Sequence, residues 1–192
     1  DPRDDPGAVD AVDLIIRTVE QHAGEIVIAG IGPMTNLAVA LRRKPSIAPR
    51  IRRICLMGGE LDRNMREHNV AWDYVAAQIV LTSGIPIALG TWSITRQFSL
   101  TADDCARIAA HDSDLARAMT RAINLWQPAQ SWKPHPVMYD IFSIVQAFSD
   151  SYYTLKPMHL TVETAGEATR GMTTTSPGEA NTHVTTGIDI EP

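Results

Sequence analysis

Three polar residues, Asn64, Glu67 and Asn69, stand close together in the stretch from Gly58 to Asp73. An amide offers both donors and an acceptor, and a carboxylate offers acceptors alone. Together they make a fork that matches the vicinal hydroxyls of a sugar. The competing role is structural: a surface loop whose Asn and Glu side chains cap the helix that follows. A second centre of interest is Asp140, which opens an otherwise apolar stretch and is preceded by Pro134, His135, Pro136 and Tyr139. A carboxylate there suits a helix N-terminus. It also suits a hard divalent cation such as Ca²⁺ or Mg²⁺, which prefers oxygen ligands, although one carboxylate cannot hold such an ion and others must come from elsewhere. His68, between Glu67 and Asn69, can either line a pocket with its neighbours or stay in solvent, whereas His22, His111 and His159 fall on helix or strand surfaces. Trp72, Trp92, Trp126 and Trp132 read one by one as core or loop anchors; beside a polar pocket such rings can stack on a planar base.

The elements that must position these residues follow from periodicity. Ile26 to Ile31 has the β-branched content of a buried strand and ends at Gly32-Pro33. Thr35 or Asn36 can then cap a helix with Leu37, Ala40 and Leu41 on one face, stopped by Lys44-Pro45. A second buried strand, Ile54 to Met57, ends at Gly58-Gly59. Strand, helix and strand make a βαβ unit, and parallel sheets keep their sites at the carboxyl ends of the strands. Upstream, Val9, Val12, Ile15, Ile16 and Val19 recur at helical spacing. Downstream, Asp73 to Leu81 is helical with Val75, Ala76, Ile79 and Val80 inward. Ile85 to Leu89 is a third buried strand, and Gly90 to Ser99 is a loop at its end.

Helices are expected over Ala102 to Ala110, Ser113 to Trp126 and Tyr139 to Phe148, with Gln127 to Met138 as a proline-rich loop fit for a lid or pocket wall. Met158 to Glu163, Ala168 to Thr173 and Thr182 to Ile190 read as antiparallel strands at an edge of the structure. The fold class is therefore α/β: an open, mostly parallel sheet flanked by helices, with a small antiparallel region near the C-terminus.

With 192 residues and a formal net charge of -5, the chain is sized for a single domain over residues 1–192 and carries no dominant basic patch. Nucleic acid is not an expected partner. The cluster Arg42, Arg43, Lys44, Arg50, Arg52 and Arg53 surrounds a helix end and reads as a solvated face. Cys55 and Cys105 fit neither a disulfide framework nor a zinc motif. No apolar stretch is long enough to span a bilayer and the start has no signal peptide, so the expectation is a cytoplasmic protein without a membrane partner. Gly30-Ile31-Gly32 lacks the rest of a phosphate-binding loop, and no Gly-x-Ser-x-Gly elbow occurs.

Gly32-Pro33-Met34-Thr35-Asn36-Leu37-Ala38, then Leu56-Met57-Gly58-Gly59, then Asn64, Glu67-His68-Asn69 and Asp73-Tyr74-Val75-Ala76-Ala77 follow one another in order and at the distances of the inosine-uridine-preferring nucleoside hydrolase family. The chain resembles that family from the Ala8-Val9-Asp10 helix to Thr169-Arg170-Gly171. The resemblance implies an N-ribohydrolase that cleaves the bond between ribose and base and holds Ca²⁺. It implies ribose contacts from Asn64, Glu67, Asn69, Asp140 and the backbone of Met57, and metal ligation by Asp140 and the backbone carbonyl of Ile31. A small-molecule ribonucleoside as substrate and a homo-oligomer, dimer or tetramer, are further implications.

The chain departs from the family's pattern at three places. The family's N-terminal cluster Asp-x-Asp-x-x-x-Asp-Asp, which supplies most Ca²⁺ ligands and the general base, has no counterpart in Asp1-Pro2-Arg3-Asp4-Asp5, so the chain resembles the middle and later part of the family, without the first strand or two and the last helix. Tyr139 stands where many members carry the histidine that protonates the leaving base; a phenol is the weaker acid near neutrality, and His135 substitutes only if its loop folds inward. Thr91-Trp92-Ser93 stands where the family has Leu-Asp. These departures motivate a second expectation, a non-catalytic relative that binds a ribosyl ligand or serves as a structural subunit.

Overall fold

Helix α1 (Ala11–Gln21) begins where the Asp10 carboxylate accepts from the amides of Val12 and Asp13, and it turns Val12 and Val19 into the core. The computed structural model describes residues 10–129 and 135–189. Strand β1 (Val27–Gly30) leads to α2 (Thr35–Arg43), and β2 (Arg53–Met57) returns beside β1 in parallel, pairing Ala29 with Cys55 and Gly30 with Leu56. The expected βαβ unit is present. Two details differ. Strand β1 is only half-buried, because it is the outermost strand of its sheet among the described residues. Helix α2 has Met34 at its N-cap without a side-chain bond, and the Thr35 hydroxyl instead donates to Asp73 Oδ2 at 2.6 Å.

The loop after β2 contains a short helix, α3 (His68–Trp72), absent from the sequence expectation. Asp73 then caps α4 (Tyr74–Leu81), its Oδ1 accepting from the Ala76 amide at 2.9 Å. Val75, expected inward, is 49% exposed; Ala76, Ala77, Val80 and Leu81 form the buried face. Strand β3 (Ile87–Gly90) pairs in parallel with β2 and is buried throughout. The loop after it also holds a helical turn, α5 (Trp92–Thr95).

Helices α6 (Ala102–Ala110) and α7 (Asp114–Trp126) form a hairpin on a narrow neck, where Leu100 donates to the Pro136 carbonyl and Met138 donates to the Phe98 carbonyl. The neck delivers the chain to α8 (Ile141–Phe148), which packs across β1, β2 and β3. Its direction is fixed at both ends. Phe142, in its first turn, lies against Gly90 at the carboxyl end of β3. Asp150, just past its last turn, pairs with Arg53 at the amino end of β2 through two hydrogen bonds of 2.6 and 2.7 Å. The residues turned to the sheet are Phe142, Ser143 and Gln146, while Ile141, Ile144 and Phe148 are exposed, Phe148 by 87%.

The C-terminal strands are where expectation and structure part. Strands β4 (Tyr153–Met158), β5 (Leu160–Val162), β6 (Thr173–Thr175) and β7 (Thr182–Ile188) divide between two sheets. The main sheet has the order β1-β2-β3-β7-β4, and only β5 and β6 form the small antiparallel pair. The Thr182 run is thus no edge strand: β7 lies inside the sheet, parallel to β3 and antiparallel to β4. A buried threonine hydroxyl needs a partner, and the interior position supplies them: the buried Gln146 Nε2 donates to Thr185 Oγ1, and Thr182 Oγ1 donates to the half-buried Asn181 Oδ1. The expected strand Ala168 to Thr173 is mostly turn, reaching strand geometry only at Thr173. Ile190, the expected last residue of the final strand, lies outside the described residues.

Candidate functional site

The carboxyl ends of β1, β2 and β3 all point toward one corner of the molecule, and the N-terminus of α8 sits over it. Ile31 follows β1, Met57 ends β2, and Gly90 ends β3. The turn after β2 is drawn in by the Gly58 amide, which donates to the Gly90 carbonyl at 3.1 Å.

Glu67 and Asn69 are buried at this corner, with 3% and 7% exposure. The Glu67 carboxylate accepts three backbone amides: Oε1 from Asn69 at 2.9 Å, Oε2 from Gly59 at 2.9 Å and from Val70 at 3.0 Å. It therefore caps α3 and pins the Gly58-Gly59 turn. A carboxylate has about four lone-pair sites, so three donors leave it room for one more. Asn69 Nδ2 donates to the Met57 carbonyl at 3.0 Å and also lies 3.3 Å from its Sδ. Those bonds use only the amide nitrogen and leave Oδ1 as an acceptor. Asn64 is exposed in the bend before α3 and makes no side-chain hydrogen bond among the described residues.

Asp140 occupies the N-cap position of α8, yet its side chain makes no capping bond. Burial pushes its carboxyl above the ordinary range, and the nearby negative charge of Glu67 pushes it further. The two carboxylates thus face one electrostatic environment, which unites the two centres of interest seen in the sequence. Tyr139 is half-buried beside Asp140. His135 is drawn toward the helical hairpin: its Nδ1 lies 3.1 Å from Gln127 Nε2 and 4.0 Å from Cys105 Sγ. Trp92 lies beneath two guanidinium groups, of Arg96 at 4.3 Å and of Arg63 at 5.4 Å from its ring centroid. His68 stacks obliquely on the exposed Trp72. Trp132 and Asp1 to Asp5 lie outside the described residues.

Sequence reasoning missed Glu60, which is 1% exposed and hydrogen-bonded to Ser93. The signal was faint: a single carboxylate directly after a Gly-Gly turn.

Asp140 and the Ile31 carbonyl are hard oxygen donors, the kind Ca²⁺ or Mg²⁺ takes. Among the described residues no three His, Cys, Asp or Glu side chains gather as a metal-binding group. Calcium takes about six to eight oxygens, so these residues fit the ion in kind, and two oxygens would fill only part of its shell. Among the described residues no helix is long and apolar enough to cross a membrane.

This α/β layer is shared with known hydrolases. A sequence model of the family described as inosine-uridine preferring nucleoside hydrolase matches residues 1–192. A non-specific ribonucleoside hydrolase of Shigella boydii is 34% identical over 165 residues, covering 83% of this chain and 54% of that protein. A pyrimidine-specific ribonucleoside hydrolase of Shewanella woodyi is 29% identical over 182 residues, covering 90% of this chain and 58% of that protein. In structure, the chain is similar to a purine-preferring ribonucleoside hydrolase from Gardnerella vaginalis, with a TM-score of 0.85 and 25% identity over 96% of this chain and 63% of that one. A plant nucleoside hydrolase shares the fold, with a TM-score of 0.83 and 24% identity over 98% of this chain and 67% of that one.

The chain belongs to the inosine-uridine preferring nucleoside hydrolase family. It spans little more than half the length of these two curated relatives, at 54% and 58%.

Proposed function

We propose that this chain carries the sugar-holding part of a nucleoside N-ribohydrolase, which hydrolyses ribonucleosides to ribose and free base. The observation that supports it best is Asp140: an uncapped, half-buried carboxylate at the start of α8 that feels the charge of Glu67 across the carboxyl ends of the strands. A helix-capping role would have spent that carboxylate on backbone amides, and it is not so spent.

In this scheme Asn69 Oδ1 and the remaining lone pair of Glu67 accept hydrogen bonds from ribose hydroxyls, with Asn64 closing the far side. Met57 contributes its backbone, whose carbonyl holds the Asn69 amide in place. Cleavage of a glycosidic bond passes through a sugar with oxocarbenium character. Fixed carboxylates beside that sugar stabilise the positive charge as it develops, and they do so without rearranging. Tyr139, the residue before Asp140, would donate a hydrogen bond to the leaving base. Asp140 and the Ile31 carbonyl would hold Ca²⁺, which when bound acidifies a water and grips the ribose diol. Residence in the cytoplasm is carried over from the reading of the sequence, and assembly as a dimer or tetramer from the family resemblance; both belong to the same scheme.

The test is release of free base from inosine and uridine by the purified protein, with calcium and with chelator. Metal-dependent release supports the proposal; no release from any nucleoside and no calorimetric binding of ribose overturns it. One observation favours a second reading. Glu67 is already committed to three backbone amides, which suits a relative that binds a ribosyl ligand without turning it over. Binding without release would establish that reading.

A further inference from the structure

Glu60 takes no part in the scheme above, yet it is among the most deeply buried charged side chains of the described residues, at 1% exposure. A buried carboxylate persists only where donors occupy its lone pairs. Here Oε1 accepts from the Asp62 amide at 2.8 Å and from the Ser93 hydroxyl at 2.7 Å, while Oε2 accepts from the Ser93 amide at 2.9 Å. Ser93 lies in the first turn of α5, whose own N-cap residue, Thr91, makes no side-chain capping bond. The cap of α5 is therefore supplied from a different loop.

That loop is the one that carries Asn64. Beside the carboxylate, the Trp92 amide donates to the Gly59 carbonyl at 2.9 Å, and the Arg63 guanidinium lies 5.4 Å from the Trp92 ring centroid. The chain from Gly59 to Arg63 is thus fastened to Trp92 and Ser93 along its length. Asn64 is the next residue, exposed and without a side-chain hydrogen bond of its own among the described residues. Its place is set by what fastens the segment before it.

We propose that Glu60 is a positioning residue of the sugar site: by bridging the loop after β2 to the helical turn after β3, it holds Asn64 where a ribose hydroxyl can be met. The proposal rests on the sugar-holding role given to this corner. The same arrangement accounts for Thr91-Trp92-Ser93 as a stretch with no carboxylate of its own, because Glu60 brings one across.

The test compares wild type with Glu60→Ala, Ser93→Ala and the transposed pair Glu60→Ser with Ser93→Asp, using inosine and uridine. Glu60→Ala is expected to raise KM by about tenfold with kcat within about threefold, since it removes placement of a binding group and leaves the reacting centre alone. Ser93→Ala, which removes only the hydroxyl donor, should raise KM by about threefold and serves if Glu60→Ala does not fold. The transposed pair should recover part of the loss, because it restores a carboxylate bridge from the opposite loop. A lower Tm with KM unchanged would show a cap of α5 and nothing more, and would overturn the proposal. If wild type releases no base, ribose affinity by calorimetry takes the place of KM; if it binds no ribose either, the assignment of the site falls, and the bridge is judged separately by amide exchange. Glu60→Ala should then speed exchange at Asp62 and Ser93 by about tenfold or more. Unchanged exchange would overturn the bridge as well.

Discussion

The carboxyl of Asp140 is held above its ordinary range by burial and, next, by the charge of Glu67, although the two belong to different layers of the fold. Glu67 stands between β2 and α3, and Asp140 opens α8 on the covering face of the sheet. The corner therefore concentrates negative charge where a developing cation, or a metal ion, would relieve it.

That relationship sets a pH dependence. Because the folded-state carboxyl of Asp140 titrates above the unfolded one, ionising it costs stability. The loss begins as pH rises past the ordinary carboxylate value of about 3.9, grows through the raised folded value, and persists above it. Asp140→Asn removes the charge, so its Tm should exceed that of wild type at about pH 7 and converge with it near about pH 3. Added calcium should raise the Tm of wild type and leave that of the variant unmoved. A variant less stable than wild type at neutral pH would contradict this account.

Glu67→Gln tests the other partner. The amide keeps one acceptor oxygen but turns an N–H toward a backbone donor, so at least one of the three buried amides loses its partner. The expected loss is about 1–3 kcal/mol in urea unfolding. In the same variant the Asp140 carboxyl should titrate lower, followed by NMR of the side-chain carbon. An unmoved titration would mean the two carboxylates do not sense each other.

Gly59→Ala probes the turn beneath the site. Gly59 has φ +73, and a Cβ there would meet Thr173 Oγ1 at 2.9 Å. Left-handed backbone costs a residue with a Cβ roughly 1–2 kcal/mol, and the contact adds to that. Thr173→Ala in the same chain should return the contact part and leave the backbone part, so thermal unfolding of the four proteins of the cycle should show positive coupling. Simple additivity would place the strain elsewhere.

Tyr139 is the residue whose replacement tests how the base departs. If departure needs a proton, Tyr139→His should raise kcat by roughly ten- to a hundredfold near neutrality, and the gain should vanish as the imidazole loses its proton. Tyr139→Phe should lower kcat in the same assay. Equal rates in all three proteins would remove Tyr139 from the chemistry.

Much of the fold was legible because its signals are local. The three parallel strands announced themselves as short apolar runs ended by glycine, and β2 and β3 are buried as expected. Asp73 opens α4 where the pattern changed to helical. What misled was Thr182 to Ile190, which reads as an antiparallel strand at an edge until β7 is seen between β3 and β4, with Gln146 and Asn181 serving its hydroxyls. Val75 followed the apolar rule and still faces outward, since small Ala76 and Ala77 give α4 its closest approach to the core.

The candidate site divides in the same way. Residue type and order brought out Asn64, Glu67, Asn69 and Asp140 as candidates for sugar or metal chemistry, with helix capping as the competing role, because hydrogen-bonding capacity and charge belong to the side chain itself. Only the folded chain decided that Glu67 spends three lone pairs on backbone amides, that Asp140 spends none on a cap, and that Glu60 joins two loops. Those outcomes depend on which donors lie within about 3 Å, and that distance is fixed by packing between segments far apart in the chain.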